Sequence, residues 1–477
     1  MPASSNFRPE TTHLSLGDAF FDRVTAANFP QTILRYRNDR WAKQVGLQAL
    51  SDGEWIAHFG RFEPLPGSLS EPVALRYHGH QFRSYNPHLG DGRGFLFAQL
   101  RDDAGRLLDL GTKGSGQTPW SRRGDGRLTL KGGVREVLAT AMLEAVGVDT
   151  SKSFSLIETG EALFRGDEPS PARSSVLVRL SHSHIRIGSF QRLLARNDAE
   201  GLARLLAHCV THYASEARRG NPAEEAAAFL ATVMDKTART CAGWLAAGFV
   251  HGVLNTDNIN ITGESFDYGP YRFLPHYDPG FTAAYFDETG LYAFGRQPDT
   301  IAWNLARLAE ALLLVSPVEP LQEVLKTYPE VFWPHMRTAL TRRLGLAPVS
   351  DAEEDAFAKA LYEFMAATRI SFEGAMFDLF GGAERLAKAM HGDRACHYEH
   401  PSFSALRPLL EVRRPAPDAK VSHPYFARIA PFLLVHDEIE ALWAPIAERD
   451  DWSRFYAKLT EIDQVREAYG LAAGSPG

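Results

Sequence analysis

The sequence predicts an α+β fold in two lobes, a β-rich first half with one long helix and a helix-rich second half. Three observations carry this. Between about residues 88 and 190, short apolar runs alternate with glycine turns. Phe95–Leu100 and Arg106–Thr112 flank the turn sequence Asp102-Asp-Ala-Gly105, which is a hairpin signal. Beyond about residue 200 the apolar spacing becomes helical, most clearly over 223–248 and 299–314.

The elements follow in order. Residues 1–80 mix short helical pieces with Pro/Gly turns such as Pro64-Leu-Pro-Gly67, and are expected to be an extension packed on the first lobe. That lobe is assigned to 81–195. Its helix is set by Val134, Val137, Leu138, Ala141, Met142 and Ala145 on one face, closed by Gly147. The helical lobe is assigned to 196–330, and a further helical region to 331–477. No internal repeat is present. Hydrophobic residues make up 44% and charged residues 23%, the balance of a globular protein with a sizeable core. A formal charge of −7 argues against a general nucleic-acid binder. No apolar run approaches the roughly 18 to 20 residues that span a bilayer, so no membrane partner is expected. Met1-Pro-Ala-Ser-Ser has no leader character, and Cys209, Cys241 and Cys396 form no Cys-x-x-Cys pair. Both point to a reducing cytoplasm.

The chemistry concentrates in His251-Gly-Val-Leu-Asn-Thr-Asp-Asn258 and Asp267-Tyr-Gly-Pro270. The spacing is that of a protein-kinase metal site, in which a catalytic-loop His precedes a base Asp by two residues and a metal-binding Asn by seven. Here Val253 fills the base position, and valine accepts no proton. A turn at Thr262-Gly263 is expected to pair the two arms and set Asn258 opposite Asp267. Amide and carboxylate oxygens then make a hard-cation site for Mg²⁺ or Mn²⁺. Asp257 is the remaining acid and a candidate to take a hydroxyl proton, with a turn-stabilising role as the alternative.

The first lobe supplies anion-binding groups. Gly90-Asp-Gly-Arg-Gly94 lets backbone approach phosphate. If the hairpin turns at Asp103-Ala104, Lys113 lies across from Gly94, and Glu136 on the following helix is its natural ion-pair partner. Ser121-Arg-Arg-Gly-Asp125-Gly126-Arg127 is either a nucleotide clamp or a solvated loop. Arg179 and Arg186 approach each other if the chain reverses near His182-Ser183, and like charges so placed call for an anion between them. His182 and His184, like His78, His80 and His88, are read as polar loop residues.

Together these strings resemble the selenoprotein O family. The resemblance rests on Leu89-Gly-Asp-Gly-Arg-Gly94, Lys113 to Arg122, Gly124-Asp-Gly-Arg127, Val134-Arg-Glu136, Ser183-His-Ile-Arg186, Asn255-Thr-Asp-Asn258 and Asp267-Tyr-Gly-Pro270, and covers about residues 70–300. It implies a bilobal, kinase-like pseudokinase fold that binds ATP in a flipped orientation. It further implies transfer of AMP to protein Ser, Thr or Tyr hydroxyls, with UMP transfer from UTP using Mn²⁺ in bacterial members. The family's nucleotide contacts map onto Gly90, Gly92, Arg93, Lys113, Asp125, Gly126, Arg179 and Arg186, with Asp267 beside them. Its proton acceptor maps onto Asp257 and its metal ligands onto Asn258 and Asp267, while Lys113 and Glu136 match the kinase strand-lysine and helix-glutamate arrangement. Many members carry a Cys or selenocysteine near their end, whereas no cysteine follows Cys396 here.

Overall fold

The computed structural model describes residues 6–166 and 168–471. The N-terminal pentapeptide and the tail beyond Leu471, on which the leader and terminal-cysteine readings bear, lie outside the described residues. Nine strands form one antiparallel sheet: β1 (Arg8–Glu10), β2 (Phe21–Arg23), β3 (Ile33–Arg37), β4 (Val73–Leu75), β5 (Leu96–Arg101), β6 (Leu107–Lys113), β7 (Leu128–Thr129), β8 (Lys152–Leu163) and β9 (Ala172–Ser181). The order is β2-β4-β5-β6-β9-β8-β3, with β1 on β5 and β7 on β9. Four of the nine strands come from the first 80 residues, so that region is continuous with the sheet.

Both faces of the sheet are covered, and the side chains sort by the two-residue period of a strand. Phe97, Leu108, Leu110, Val176, Val178 and Leu180 join a core built around Trp55, Phe59 and Phe154. Leu96, Leu107 and Leu177 face the main core instead. There the sheet packs on helix α1 (Leu130–Ala145), N-capped by Thr129, whose side chain accepts from the Gly132 N–H. Val134, Val137, Leu138, Met142 and Ala145 are buried, and the chain leaves the helix through Gly147 at φ +86°.

Helices α2 (Ile187–Ala195) and the long α3 (Pro222–Ala246) follow, with a further helix over Ala199–His212 between them. Helix α3 is started by Asn221, which accepts from the Ala223 and Glu224 N–H groups, with Pro222 in the first turn. Helices α4 (Gln297–Leu312) and α5 (Tyr328–Arg343) pack on α3. The last helix, α6 (Ser453–Tyr469), returns to α1, where Arg466 lies 3.6 Å from the buried Glu144. Cys209 and Cys241 are buried and unpaired. Among the described residues no helix is long and apolar enough to cross a membrane.

Candidate active site

The site lies where the β5–β6 hairpin meets the segment after α3. The turn at Asp102–Gly105 closes as expected, with Gly105 N–H donating to Asp102 O at 2.9 Å. Leu96 pairs with Gly111, and Thr112 N–H donates to Phe95 O at 2.9 Å, which sets Lys113 across from Gly94. Only glycine fits at 94, because a Cβ there would overlap the Thr112 carbonyl oxygen. Gly90 and Gly92 are pressed against Trp120, whose indole N–H donates to Asp22 at 2.9 Å.

Lys113 is buried, with Nζ 2.6 Å from Glu136 Oε2 and 2.7 Å from Asp267 Oδ1. Arg179, opposite Gly111 on β9, reaches the same two carboxylates at 3.6 and 3.4 Å. Arg186 caps α2, binds Asp91 at 2.9 Å, and stacks on Tyr77 at 4.1 Å. Each arginine is thus met by the protein's own carboxylates. Asp91 and Tyr77 were not singled out in the sequence. A carboxylate between two glycines was the available signal for the first, and nothing local marks the second.

Asp267 adopts φ +64°, in the left-handed region that a non-glycine residue occupies at a cost. Burial raises its carboxyl's pKa, but Lys113, Arg179 and Arg93 outweigh burial and hold it well below the usual carboxylate range. Asp257 is the opposite case. Burial pushes its pKa up to about 6 against the pull of Arg186, and its Oδ1 is enclosed with no hydrogen-bond partner. His251 is buried beside Asp267's segment, with Nε2 2.9 Å from Phe266 O.

The expected pairing of the two metal arms is corrected. Gly263 N–H donates to Asn260 O at 3.0 Å, so the turn is present, but the arms pair with other elements. Asn260 bridges to Arg186 and Ser265 to Thr150. Asn260 also satisfies the turn itself by accepting from Thr262 N–H at 3.1 Å. Asn258 is held locally instead, its N–H donating to Asn255 O at 2.9 Å and its Nδ2 to Val253 O at 3.0 Å. It lines a small pocket with Glu264 and Trp244, whereas Asp267 lines the main cleft.

That cleft has a volume of about 640 Å³ and gathers Gly90, Gly92, Arg93, Lys113, Asp125, Gly126, Arg179, Arg186, Asp257 and Asp267. Glu136 stands behind Lys113. Arg122, Arg123, Arg127 and Arg165 complete a lining of eight cationic and four acidic side chains. Asp125 is exposed at the rim, paired with Arg165 at 2.8 Å. Such a lining suits a polyanion, with glycines where backbone must come close and one unpartnered acid among the cations.

Comparison with known proteins places the chain in a class and then a family. A protein called nucleotidyltransferase YdiU from Synechocystis sp. is 43% identical over 473 residues, covering 92% of this chain and 94% of the relative. One of the same name from Gloeobacter violaceus is 41% identical, covering 97% and 96%. Another from Synechococcus elongatus is 49% identical over 350 residues, covering 72% and 70%. The protein is an enzyme of the nucleotidyltransferase class. A family model described as protein adenylyltransferase SelO matches residues 3–463, and the chain belongs to that family.

Proposed function

We propose that the protein transfers AMP from ATP to Ser, Thr or Tyr hydroxyls of proteins, itself included, with UMP from UTP as a second donor. The single observation that carries this is Asp257, a half-buried residue whose enclosed Oδ1 has no hydrogen-bond partner, in the cleft that holds Lys113 and Asp267, while Val253 occupies the kinase base position. On this reading the two halves form a kinase-like bilobal fold, with the β-rich lobe at 81–195 extended by the four strands of residues 1–80, the helical lobe at 196–330, and 331–477 packed on them.

The residues present suit a divalent cation. Asn258 commits its Nδ2 to Val253 O, which leaves the amide oxygen as donor, and Asp267 adds a carboxylate kept ionised. Both are hard oxygen ligands of the kind Mg²⁺ or Mn²⁺ takes together with phosphates and water. When bound, the ion supplies positive charge to the phosphates.

The triphosphate enters flipped, its terminal phosphates toward Lys113 and Arg179 and its α-phosphate toward Asp257. The acceptor hydroxyl gives its proton to the Asp257 carboxylate as its oxygen bonds the α-phosphorus. The bond from that phosphorus to the α–β bridging oxygen breaks, and pyrophosphate leaves with the electron pair. Lys113 and Arg179 offset the charge on the departing pyrophosphate, and Glu136 holds Lys113 in place. Unpaired cysteines fit a cytoplasmic setting.

ATP labelled on the α- or the γ-phosphate, incubated with the protein, Mg²⁺ or Mn²⁺ and a lysate, tests the reading. Attached α-label that is lost in Asp267→Ala is expected. Attached γ-label without α-label would make the protein a phosphotransferase and refute the flipped nucleotide. ATP binding with neither label attached would leave a nucleotide-binding scaffold.

A further inference from the structure

Asp257 packs against a short hairpin, Gly79–Gln81 paired with Ser84–Asn86. A Cβ on Gly79 would come within 2.9 Å of Asp257 Oδ1. The hairpin is stitched to the segment that carries Asp257. His80 N–H donates to Thr256 Oγ1 at 2.7 Å, and Phe82 N–H to Asn255 Oδ1 at 3.0 Å. Its two-residue tip is Phe82-Arg83, at φ +49° and +64°. A turn with both central residues in that region calls for Asn-Gly or Gly-Gly. Holding a phenylalanine there costs backbone strain.

That cost fixes a ring at the surface. Phe82 is 36% exposed, and its ring lies 5.7 Å from Phe286 and 4.9 Å from Tyr292. Phe286 is 47% and Tyr285 84% exposed, their rings 5.1 Å apart. Tyr292 donates its hydroxyl to the same Asn255 Oδ1, at 2.6 Å. Phe82 is thus hydrogen-bonded through Asn255 to the segment that carries Asp257, and Phe286 and Tyr285 continue the cluster through ring contacts. None of the three lines the cationic cleft, so their place is beside the nucleotide site and outside it. Exposed apolar clusters of this kind are uncommon on a protein surface unless something docks there. The position is continuous with the group that takes the acceptor's proton, and the cleft rim nearby offers the exposed guanidiniums of Arg122 and Arg123 rather than further apolar surface.

We propose that Phe82, Tyr285 and Phe286 form the docking surface for the acceptor polypeptide, seating a bulky apolar side chain that flanks the modified hydroxyl. The proposal rests on the reading of the site as one that transfers AMP to protein hydroxyls. An extended segment that lays an aromatic or long aliphatic side chain on this shelf brings a neighbouring Ser, Thr or Tyr to Asp257. The shelf sets which hydroxyls are modified, and the cleft sets what is transferred.

The test uses α-labelled ATP and a peptide library with one central serine between degenerate flanking positions. The wild-type protein is expected to select Phe, Leu, Ile or Met at one flanking position. Tyr285→Ser and Phe286→Ser should each raise KM for the selected peptide about tenfold, with kcat little changed. Calorimetric ATP affinity serves as the control on fold and cleft. Phe82→Gly suits the positive φ, so it removes the ring while keeping the turn, and it should raise KM likewise. Selection without apolar preference, or an unchanged KM in all three variants, overturns the proposal. A dimer that dissociates in Tyr285→Ser would assign the shelf to a second copy of the chain and overturn it too. Wild-type protein that labels neither peptides nor lysate proteins would refute the transfer reading itself, and this proposal with it.

Discussion

Glu136→Gln is the most informative single change to the buried charge cluster. Lys113 and Glu136 expose 5% and 1% of their side chains, and Asp267 exposes 30%. In the native cluster two cations, Lys113 and Arg179, face two carboxylates within 3.6 Å. The substitution leaves two buried cations on Asp267 alone. Breaking a buried pair by removing one partner costs about 3–5 kcal/mol, and the near-complete burial of Glu136 puts this case in that range. Asp267→Asn removes one carboxylate as well, but at a site that water reaches, so its cost should be about 1–2 kcal/mol. Urea unfolding of both variants, extrapolated linearly to water, measures the two costs. Transfer of α-label measures activity in parallel. Both variants should lose transfer, while only Glu136→Gln loses much stability. A cost below about 1 kcal/mol for Glu136→Gln, or a larger cost for Asp267→Asn, would refute the argument that burial depth divides the holding role from the working role.

Asp257→Asn should lower transfer by about 10²- to 10⁴-fold with ATP affinity retained, as expected for loss of a proton acceptor. On the proposed role the ionised carboxyl is the working form, and its pKa is raised to about 6, so transfer should fall as pH drops below 6 and level off above it. A profile flat from pH 5 to 8 would contradict that role. Stability should fall over a similar range for a separate reason. Burial lowers the pKa of His208 to about 3 and that of His182 to about 4, from an ordinary 6.5. Their contribution is complete above 6.5 and is lost as pH falls through the window toward the folded values. At pH 5 each costs about 2 kcal/mol, so His208→Gln should flatten the dependence of urea midpoints on pH between 7 and 5. Gly94→Ala should fail to form a working cleft, because the obstacle is the Thr112 carbonyl in the partner strand and not a movable side chain. An alanine variant with unchanged ATP affinity would refute the register of the hairpin.

What was legible in the sequence was local. The turn at 102–105 fixed the β5–β6 register, and with it Lys113 across from Gly94, because a hairpin's loop length sets its pairing. The apolar face of α1 and its glycine exit were likewise written within 18 residues of each other (130–147). What was missed was decided by distant partners. The three-residue strands Arg8–Glu10, Phe21–Arg23 and Val73–Leu75 are too short to show a period, and join the sheet only because β4 and β5 offer open edges. The arms at 258 and 267 looked like a hairpin, yet their backbone groups find Arg186 and Thr150 instead.

The charges follow the same rule. Two arginines seven residues apart rightly demanded an anion, but composition does not say which. Asp91 answers Arg186 from 95 residues away, and Asp267 answers Arg179 from 88. That arrangement bears on function. Within this cleft Lys113, Arg179 and Arg186 are already paired with the protein's own carboxylates, so phosphates that reach those three cations compete with Glu136, Asp267 and Asp91 for them. Each displaced carboxylate then needs a new positive partner. On the proposed function, a divalent ion held by Asp267 would meet that need and leave Lys113 and Arg179 to the phosphates. On that reading metal and nucleotide binding are mutually dependent, and separate titrations should find each weak without the other.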